Sequence, residues 1–354
     1  MRVTPPVTIA ADKLVSSSAV EPAAFPAYVP GSTYGFGEIV TVAADYRVYE
    51  SLLPLNVGNT PSISPVWWRP VGYVETPYNP ATNYPISATV SRNNRVYKSL
   101  IPNNLGQPLP VYPSKSTAAW YDMGATNRLA AFDLYRSTQT IWPSPLTMVF
   151  APKQRVNTIG VLGISANQAV VSATSVFGGG TVYNRVIDLN TRLVSDGYEY
   201  AFEPFSTQPS FSLFDLPPFS DIVITLTLSS TSGNVKCGSV VVGTYIYLGD
   251  IQYGSDSSDL NFSVIERDDF GNAELTPRRS VPKNKHVLEA PSYRVNKIRA
   301  AKESLNAVPA LWTGLDDGSN DWFDAFTILG IYKVFEANNK DAKTAKITLD
   351  IEEI

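Results

Sequence analysis

The residues of this chain that could do acid–base, nucleophilic or metal chemistry are few and scattered. There is one histidine, His286, within Lys283-Asn284-Lys285-His286. A Ser-His-Asp relay would have to use it. No Gly-x-Ser-x-Gly elbow accompanies it, and a basic loop is a poor setting for a general base, so His286 reads as a solvated surface residue. The single cysteine, Cys237, excludes an intramolecular disulfide framework and a cysteine zinc cage. It reads as a small buried apolar residue in a strand. Gly178-Gly179-Gly180 is followed by neither phosphate-loop pattern and reads as a plain turn.

The carboxylates offer more. Asp316-Asp317-Gly318-Ser319-Asn320-Asp321 carries the oxygen ligands that hard cations prefer, without the alternating spacing of an EF-hand loop. Asp316, Asp317 and Asp321 are therefore weak divalent-ion candidates in what reads as a solvated turn. Asp256, Asp259, Glu266, Asp268 and Asp269 could supply a glycosidase pair. Glycoside hydrolysis needs two carboxyl groups roughly 5–9.5 Å apart across a cleft. Proximity in a turn-rich sequence does not place them so, and the expectation is a non-enzyme without a cofactor. The one basic concentration is Arg278, Arg279, Lys283, Lys285, Arg294, Lys297, Arg299 and Lys302. It lacks the interleaved aromatics of base-stacking surfaces. It suggests an exposed face, or a contact with an acidic neighbouring subunit, rather than nucleic-acid binding.

Aromatic residues are the remaining chemistry. Sugars stack their apolar ring faces on aromatic rings while their hydroxyls pair at the rim. Tyr34, Phe36, Tyr46, Trp67, Trp68 and Tyr73, then Tyr84, Tyr112, Trp120 and Tyr121, could supply such rings. Of these, Tyr34, Tyr46, Trp67, Tyr73, Tyr112 and Tyr121 are the glycan-contact candidates. The repeated positions Tyr49, Tyr97, Trp68 and Trp120 read as core.

The elements that position these rings are duplicated. Arg47-Val48-Tyr49-Glu50-Ser51-Leu52-Leu53-Pro54 recurs as Arg95-Val96-Tyr97-Lys98-Ser99-Leu100-Ile101-Pro102. The register continues to Asn56/Asn104 and Gly58/Gly106, so eight of thirteen positions are identical at an offset of 48. Trp68…Gly72 and Trp120…Gly124 close the copies after a four-residue insertion in the second. Such a repeat means one supersecondary module used twice. Each copy predicts short strands, Glu38–Val42 with Tyr46–Leu52 and Ser87–Val90 with Arg95–Leu100. About 45 residues is near the lower limit for an independent core.

Composition places these modules in an all-β chain. Only 17% of the 354 residues are charged, and the net charge of −4 draws the chain neither to nucleic acid nor to an anionic membrane. Residues 1–30, with five prolines, predict an extended arm lying across another element. Module 1 occupies 31–76 and module 2 occupies 77–126. From 127 to 354 alternating strands dominate, such as Asp221–Leu228 with Ile222, Ile224, Leu226 and Leu228 on one face. Val156–Ile164, Ala169–Ser175, Lys236–Leu248, Phe262–Glu266 and Ala345–Ile354 read likewise, with short helices at Ser292–Ser304 and near Asp321–Phe326. The expected fold is two small three-stranded modules followed by a jelly-roll-like β-sandwich with a short helical insertion. Nothing at the N-terminus reads as a secretory signal, and no apolar run reaches the length of a membrane helix.

Ala27-Tyr28-Val29-Pro30-Gly31-Ser32-Thr33-Tyr34, Gly37-Glu38-Ile39-Val40, Val48-Tyr49 and Trp68-x-x-x-Gly72 resemble the small chitin-binding modules attached to bacterial chitinases, with a weaker second copy. In that family an exposed aromatic after the Val-Tyr strand stacks on polysaccharide, where this chain has Ser51-Leu52-Leu53 and Ser99-Leu100-Ile101. A second resemblance covers the rest. Phe132-Asp133…Ser137-Thr138-Gln139-Thr140, Gly243-Thr244-Tyr245-Ile246-Tyr247-Leu248-Gly249, Tyr253-Gly254 and Phe262 to Asn272, then Pro309-Ala310-Leu311-Trp312 and Gly330-Ile331-Tyr332-Lys333, are similar to the C-terminal region of tail proteins of tailed bacteriophages. This resemblance implies a structural part of a tail tip, baseplate or fibre attachment, assembled in the host cytoplasm and resident in the virion. Its partners would be other tail proteins and copies of itself in a symmetric assembly. The modules would dock neighbours or touch host-surface polysaccharide. The alternative is a non-viral glycan-binding accessory protein or remote glycoside hydrolase.

Overall fold

Alternation of apolar and polar side chains builds most of the chain into strands. In Val223–Ser229 the residues Ile224, Leu226 and Leu228 are fully buried while Val223, Thr225 and Thr227 are half-buried on the other face. The computed structural model describes residues 1–19, 26–42, 47–73, 76–111, 114–135, 138–191, 196–202, 206–231, 233–267, 273–318, 320 and 322–354. With 49% strand and 8% helix the protein is all-β with a short helical insertion. That insertion is the 3-10 turn Ser292–Arg294 running into the helix Val295–Ser304.

The region after the modules is layered. A five-stranded antiparallel sheet runs in the order Gly180–Asp188, Gln168–Ser175, Val223–Ser229, Leu146–Phe150, Leu14–Ser17. It packs on a three-stranded sheet of Ser210–Leu213, Thr158–Leu162 and Ser239–Gly243. Ile159, Val161, Val240 and Val242 of the smaller sheet face that shared core. Its other face puts Leu162 and Val241 against Leu311 and Leu329 of a third sheet. This is why Thr158–Leu162 and Ser239–Gly243 are buried at every position. Gly160 makes the approach possible: a Cβ there would stand 2.1 Å from Leu311 Cδ2.

The third sheet has eight strands, with a path from Ile246–Tyr247 through Arg2–Thr4, Ala310–Thr313, Thr327–Asn339, Thr344–Glu353 and Ser280–Pro291 to Asp250–Ile251. Asp256–Asn261 also pairs with Ser280–Pro291. Its far face, with Trp312, Ile328 and Leu349, is closed by Ile298 and Ala301 of the helix. The sandwich expected from the sequence is thus extended by a further sheet and a helical cover.

One expectation becomes specific and two change. The N-terminal stretch lies across other elements as paired strands, Arg2–Thr4 in the third sheet and Leu14–Ser17 at the edge of the first. Arg2 is clamped between Phe214 and Tyr245, its guanidinium carbon 4.4 and 4.5 Å from the ring centroids. Lys236–Leu248 is broken at Gly238, where a Cβ would stand 2.9 Å from the Leu162 carbonyl oxygen: Asn234–Cys237 pairs with Thr140–Pro143, and Ser239–Gly243 with Thr158–Leu162. The residues around Trp322–Phe326 form turns rather than a helix, while the short helix Gly197–Phe202 had no clear sequence signal.

Candidate functional site

The two modules are one design made twice. Module 1 is the antiparallel sheet Ile39–Val42, Arg47–Ser51, Trp68–Tyr73, with Thr33–Tyr34 paired to Asn56–Val57 as a flap. Module 2 repeats it with Thr89–Arg92, Arg95–Ser99, Trp120–Ala125 and the flap Asn83–Tyr84 on Asn104–Leu105. Its hairpin turns through Asn93 and Asn94, both with left-handed φ (52° and 60°), the geometry a two-residue turn between twisted strands needs.

Three rings fill each module. Tyr28 stacks on Tyr34 at 5.7 Å, and both meet Trp68 edge-on at 5.8 and 5.1 Å. Tyr78, Tyr84 and Trp120 repeat the arrangement at 6.1, 5.7 and 5.4 Å. The polar tips are also engaged alike. One carbonyl, that of Asn59, accepts from Trp68 Nε1–H at 2.8 Å and from the Tyr28 hydroxyl at 2.9 Å. The Gln107 carbonyl accepts from Trp120 Nε1–H at 3.1 Å and Tyr78 at 2.7 Å. The repeated asparagines are buried braces: Asn56 Nδ2 donates to Ser51 Oγ at 3.0 Å and Asn104 Nδ2 to Ser99 Oγ at 3.0 Å. An ion pair ties the middle strand to the last in both copies, but with exchanged positions, Glu50 with Arg69 at 2.6 Å and Asp122 with Arg95 at 2.7 Å.

Against this frame the glycan candidates separate. Tyr34 is 8% exposed and its hydroxyl is engaged by the Val29 backbone, so it is a core ring and not a stacking surface. Trp67 is half-buried against the module core. Tyr121 is 44% exposed. Tyr46, Tyr112 and the side chain of Tyr73 lie outside the described residues. Tyr49, Tyr97, Trp68 and Trp120 are buried, as their repeated positions suggested. Among the positions the modules expose in both copies are two apolar pairs, Phe36 and Ile86 at one turn and Val57 and Leu105 on the flap, beside polar ones such as Thr33 and Asn83. Module 2 also has an open cleft of about 500 Å³ between Tyr78 and the Arg92–Asn94 turn, where the Arg92 guanidinium lies 5.7 Å from the Tyr78 ring.

Among the described residues the candidate acids do not assemble into a metal centre. Asp316 is exposed and pairs with Arg2 at 2.7 Å, Asp317 is exposed, and Asp321 lies outside the described residues. Among the described residues no three His, Cys, Asp or Glu side chains converge as metal ligands would. Of the imagined glycosidase carboxylates, Asp256 sits in register opposite Lys285. Asp259 lines a cleft of about 190 Å³ with Asp324, which accepts a hydrogen bond from the Ser210 hydroxyl. Asp268 and Asp269 fall outside the described residues.

His286 is the clearest correction. It is fully buried in the strand Ser280–Pro291, with its ring edge-on to Phe326 at 5.1 Å. Neither ring nitrogen has a hydrogen-bond partner, and burial, with a smaller push from the N-terminal amine, lowers its pKa to about 4. A neutral imidazole without a carboxylate orienter is not a relay base. Cys237 is buried, and desolvation pushes its thiol up to about 12. Of the basic concentration, Arg279 pairs with Glu353, Lys283 with Asp350 at 3.6 Å and Arg299 with Glu303 at 3.4 Å.

No protein-family model matches the chain, and a search of curated proteins gave no significant match. Among the described residues no helix is long and apolar enough to cross a membrane.

Proposed function

We propose that this chain is a structural component of a phage tail, at the tip, baseplate or fibre attachment, and that its two modules are rigid docking pieces. The observation that carries the reading is the pairing of internally satisfied ring tips with matched exposed apolar positions, Phe36/Ile86 and Val57/Leu105. A surface repeated with the same apolar character suits a repeated protein contact. The resemblance of the segments between Phe132 and Lys333 to tail proteins supplies the biological setting, with other tail proteins and copies of this chain as partners.

The second reading is glycan contact by module 2, favoured by the cleft between Tyr78 and Arg92–Asn94 and by exposed Tyr121. Weak contacts of this kind gain avidity when many copies act together.

The test is immunogold labelling of intact tailed particles produced in cells carrying this chain's coding sequence, with mass spectrometry of the purified particles. Label confined to a tail end supports the proposal. Particles free of the chain refute it.

A further inference from the structure

The connection between Ala310–Thr313 and Thr327–Asn339 is long for a hairpin and is fixed from several sides. At its neck Gly314 N–H donates to the Phe326 carbonyl at 2.9 Å. Within it Phe323 is buried, and its carbonyl accepts from the Thr327 hydroxyl at 2.7 Å. Arg2 holds Asp316 at 2.7 Å, Gln208 Nε2 donates to the Gly318 carbonyl at 3.3 Å, and Asn284 Nδ2 donates to the Ala325 carbonyl at 2.9 Å. Three distant segments of chain therefore pin the described parts of this surface loop, 314–318 and 322–326.

What the loop presents is Trp322. Its indole is 58% exposed and stacks on Phe326 at 5.3 Å and 26°. Phe326 is in turn met edge-on by buried His286 at 5.1 Å and 85°. A ladder of three rings runs from the core to the surface and ends in an exposed indole. Across an open cleft of about 600 Å³ the segment 251–255 carries Tyr253, fully exposed. Gln252 and Asn320 add side-chain amides, while the Ser255 hydroxyl is spent on the Gln252 carbonyl and the Val287 N–H and Asn320 Oδ1 accepts from the Trp322 N–H; no charged side chain lines the cleft among the described residues.

We infer that the cleft between Tyr253 and Trp322 is a binding site for a neutral saccharide. The volume falls in the range of small-ligand sites. Two exposed aromatic rings suit the apolar faces of a pyranose, and the Gln252 and Asn320 amides suit its hydroxyls. Among the described residues the lining carries no charge that would recruit an acidic or sulfated sugar. An apolar ligand would call for an enclosed pocket, whereas this cleft is open and partly polar. Because the indole is already ordered by Phe326, little side-chain freedom is lost on binding. The site lies on the eight-stranded sheet, apart from the modules, and does not rest on the tail reading.

The test is an array of neutral, sialylated and sulfated oligosaccharides probed with the full chain and with Trp322→Ala, Trp322→Phe, Tyr253→Ala and Tyr121→Ala variants. Unchanged thermal unfolding midpoints show that each variant is folded. The expected result is binding to neutral glycans only, weakened at least about tenfold, equivalent to about 1.4 kcal/mol, by Trp322→Ala and Tyr253→Ala. Trp322→Phe should retain most of it, and Tyr121→Ala all of it. Absence of neutral-glycan binding by the folded wild-type chain, binding indifferent to both cleft variants, or binding restricted to acidic glycans would each overturn the assignment.

Discussion

Replacing Trp68 by Ala should open module 1 and leave the rest of the protein folded. The indole is 1% exposed, touches Tyr28 and Tyr34 edge-on, and donates to the Asn59 carbonyl. Burying an aromatic side chain removes roughly 150–250 Å² from water, which at about 25 cal/mol per Å² is about 4–6 kcal/mol. Measured Trp-to-Ala costs in cores run about 3–5 kcal/mol. The lost hydrogen bond adds little, because the Asn59 carbonyl keeps the Tyr28 hydroxyl at 2.9 Å. A unit of about 45 residues has a stability on the order of 2–7 kcal/mol, from roughly 0.05–0.15 kcal/mol per residue. The substitution thus removes an amount comparable to the whole. The apolar cluster of module 1 is distinct from that of module 2 and from the sandwich core. Hydrogen exchange read by mass spectrometry should therefore show fast exchange across 26–42 and 47–73, with protection kept in 89–99 and 158–175. Retained protection in 26–42 and 47–73, or its loss everywhere at once, would refute the independence argued from these clusters.

Other perturbations should be equally legible. His286 has its pKa lowered from 6.5 to about 4, so the unfolded chain binds its proton first; stability should be intact above pH 6.5 and fall by about 3 kcal/mol between pH 6.5 and 4. Denaturant titrations across that window should show the slope, and His286→Leu should flatten it. Gly330→Ala would set a Cβ 2.2 Å from the Glu352 carbonyl oxygen in the facing strand, and a loss of about 1–3 kcal/mol or more is expected in urea melts. Gly318→Ala, whose nearest neighbour is a side-chain amide at 3.6 Å, is the mild control. Native Cys237 should resist a thiol reagent at pH 8 and react stoichiometrically in urea, since its buried thiol is held protonated. Arg2→Ala removes both ring contacts and the Asp316 pair, and faster proteolytic nicking between 314 and 326 is the expected readout.

The duplicated module was legible because its strands keep register from Arg47 and Arg95 onward. Its aromatic core was less so. Tyr28/Tyr78 and Tyr34/Tyr84 repeat at an offset of 50, because four residues separate Val42 from Arg47 and two separate Arg92 from Arg95. The hairpin length shifts the frame, and the matching rings upstream fall out of alignment. His286 hid for another reason. Ser280–Pro291 alternates, with Asn284, His286, Leu288 and Ala290 inward, but two of its inward residues are polar and Lys283 and Lys285 flank them. Polarity masked a period of two. The Tyr253–Trp322 cleft had no local signal at all, since its halves are far apart in sequence and meet only once the third sheet closes. Likewise, burial at every position of Thr158–Leu162 announces a strand covered on both faces, yet nothing local names the layer that covers the second face.

The placement of Leu14–Ser17 determines how the modules would bear load. That strand is hydrogen-bonded into the five-stranded sheet beside Leu146–Phe150, and the chain between them carries both modules. The modules are therefore an excursion that leaves one body and returns to it, suspended at two ends. A pull on either module divides between the two ends, one of them seated in a sheet edge, and a single broken connection would not release the modules. A beads-on-a-string tether would swivel and detach at one cut; a two-ended suspension resists torsion and keeps its cargo oriented.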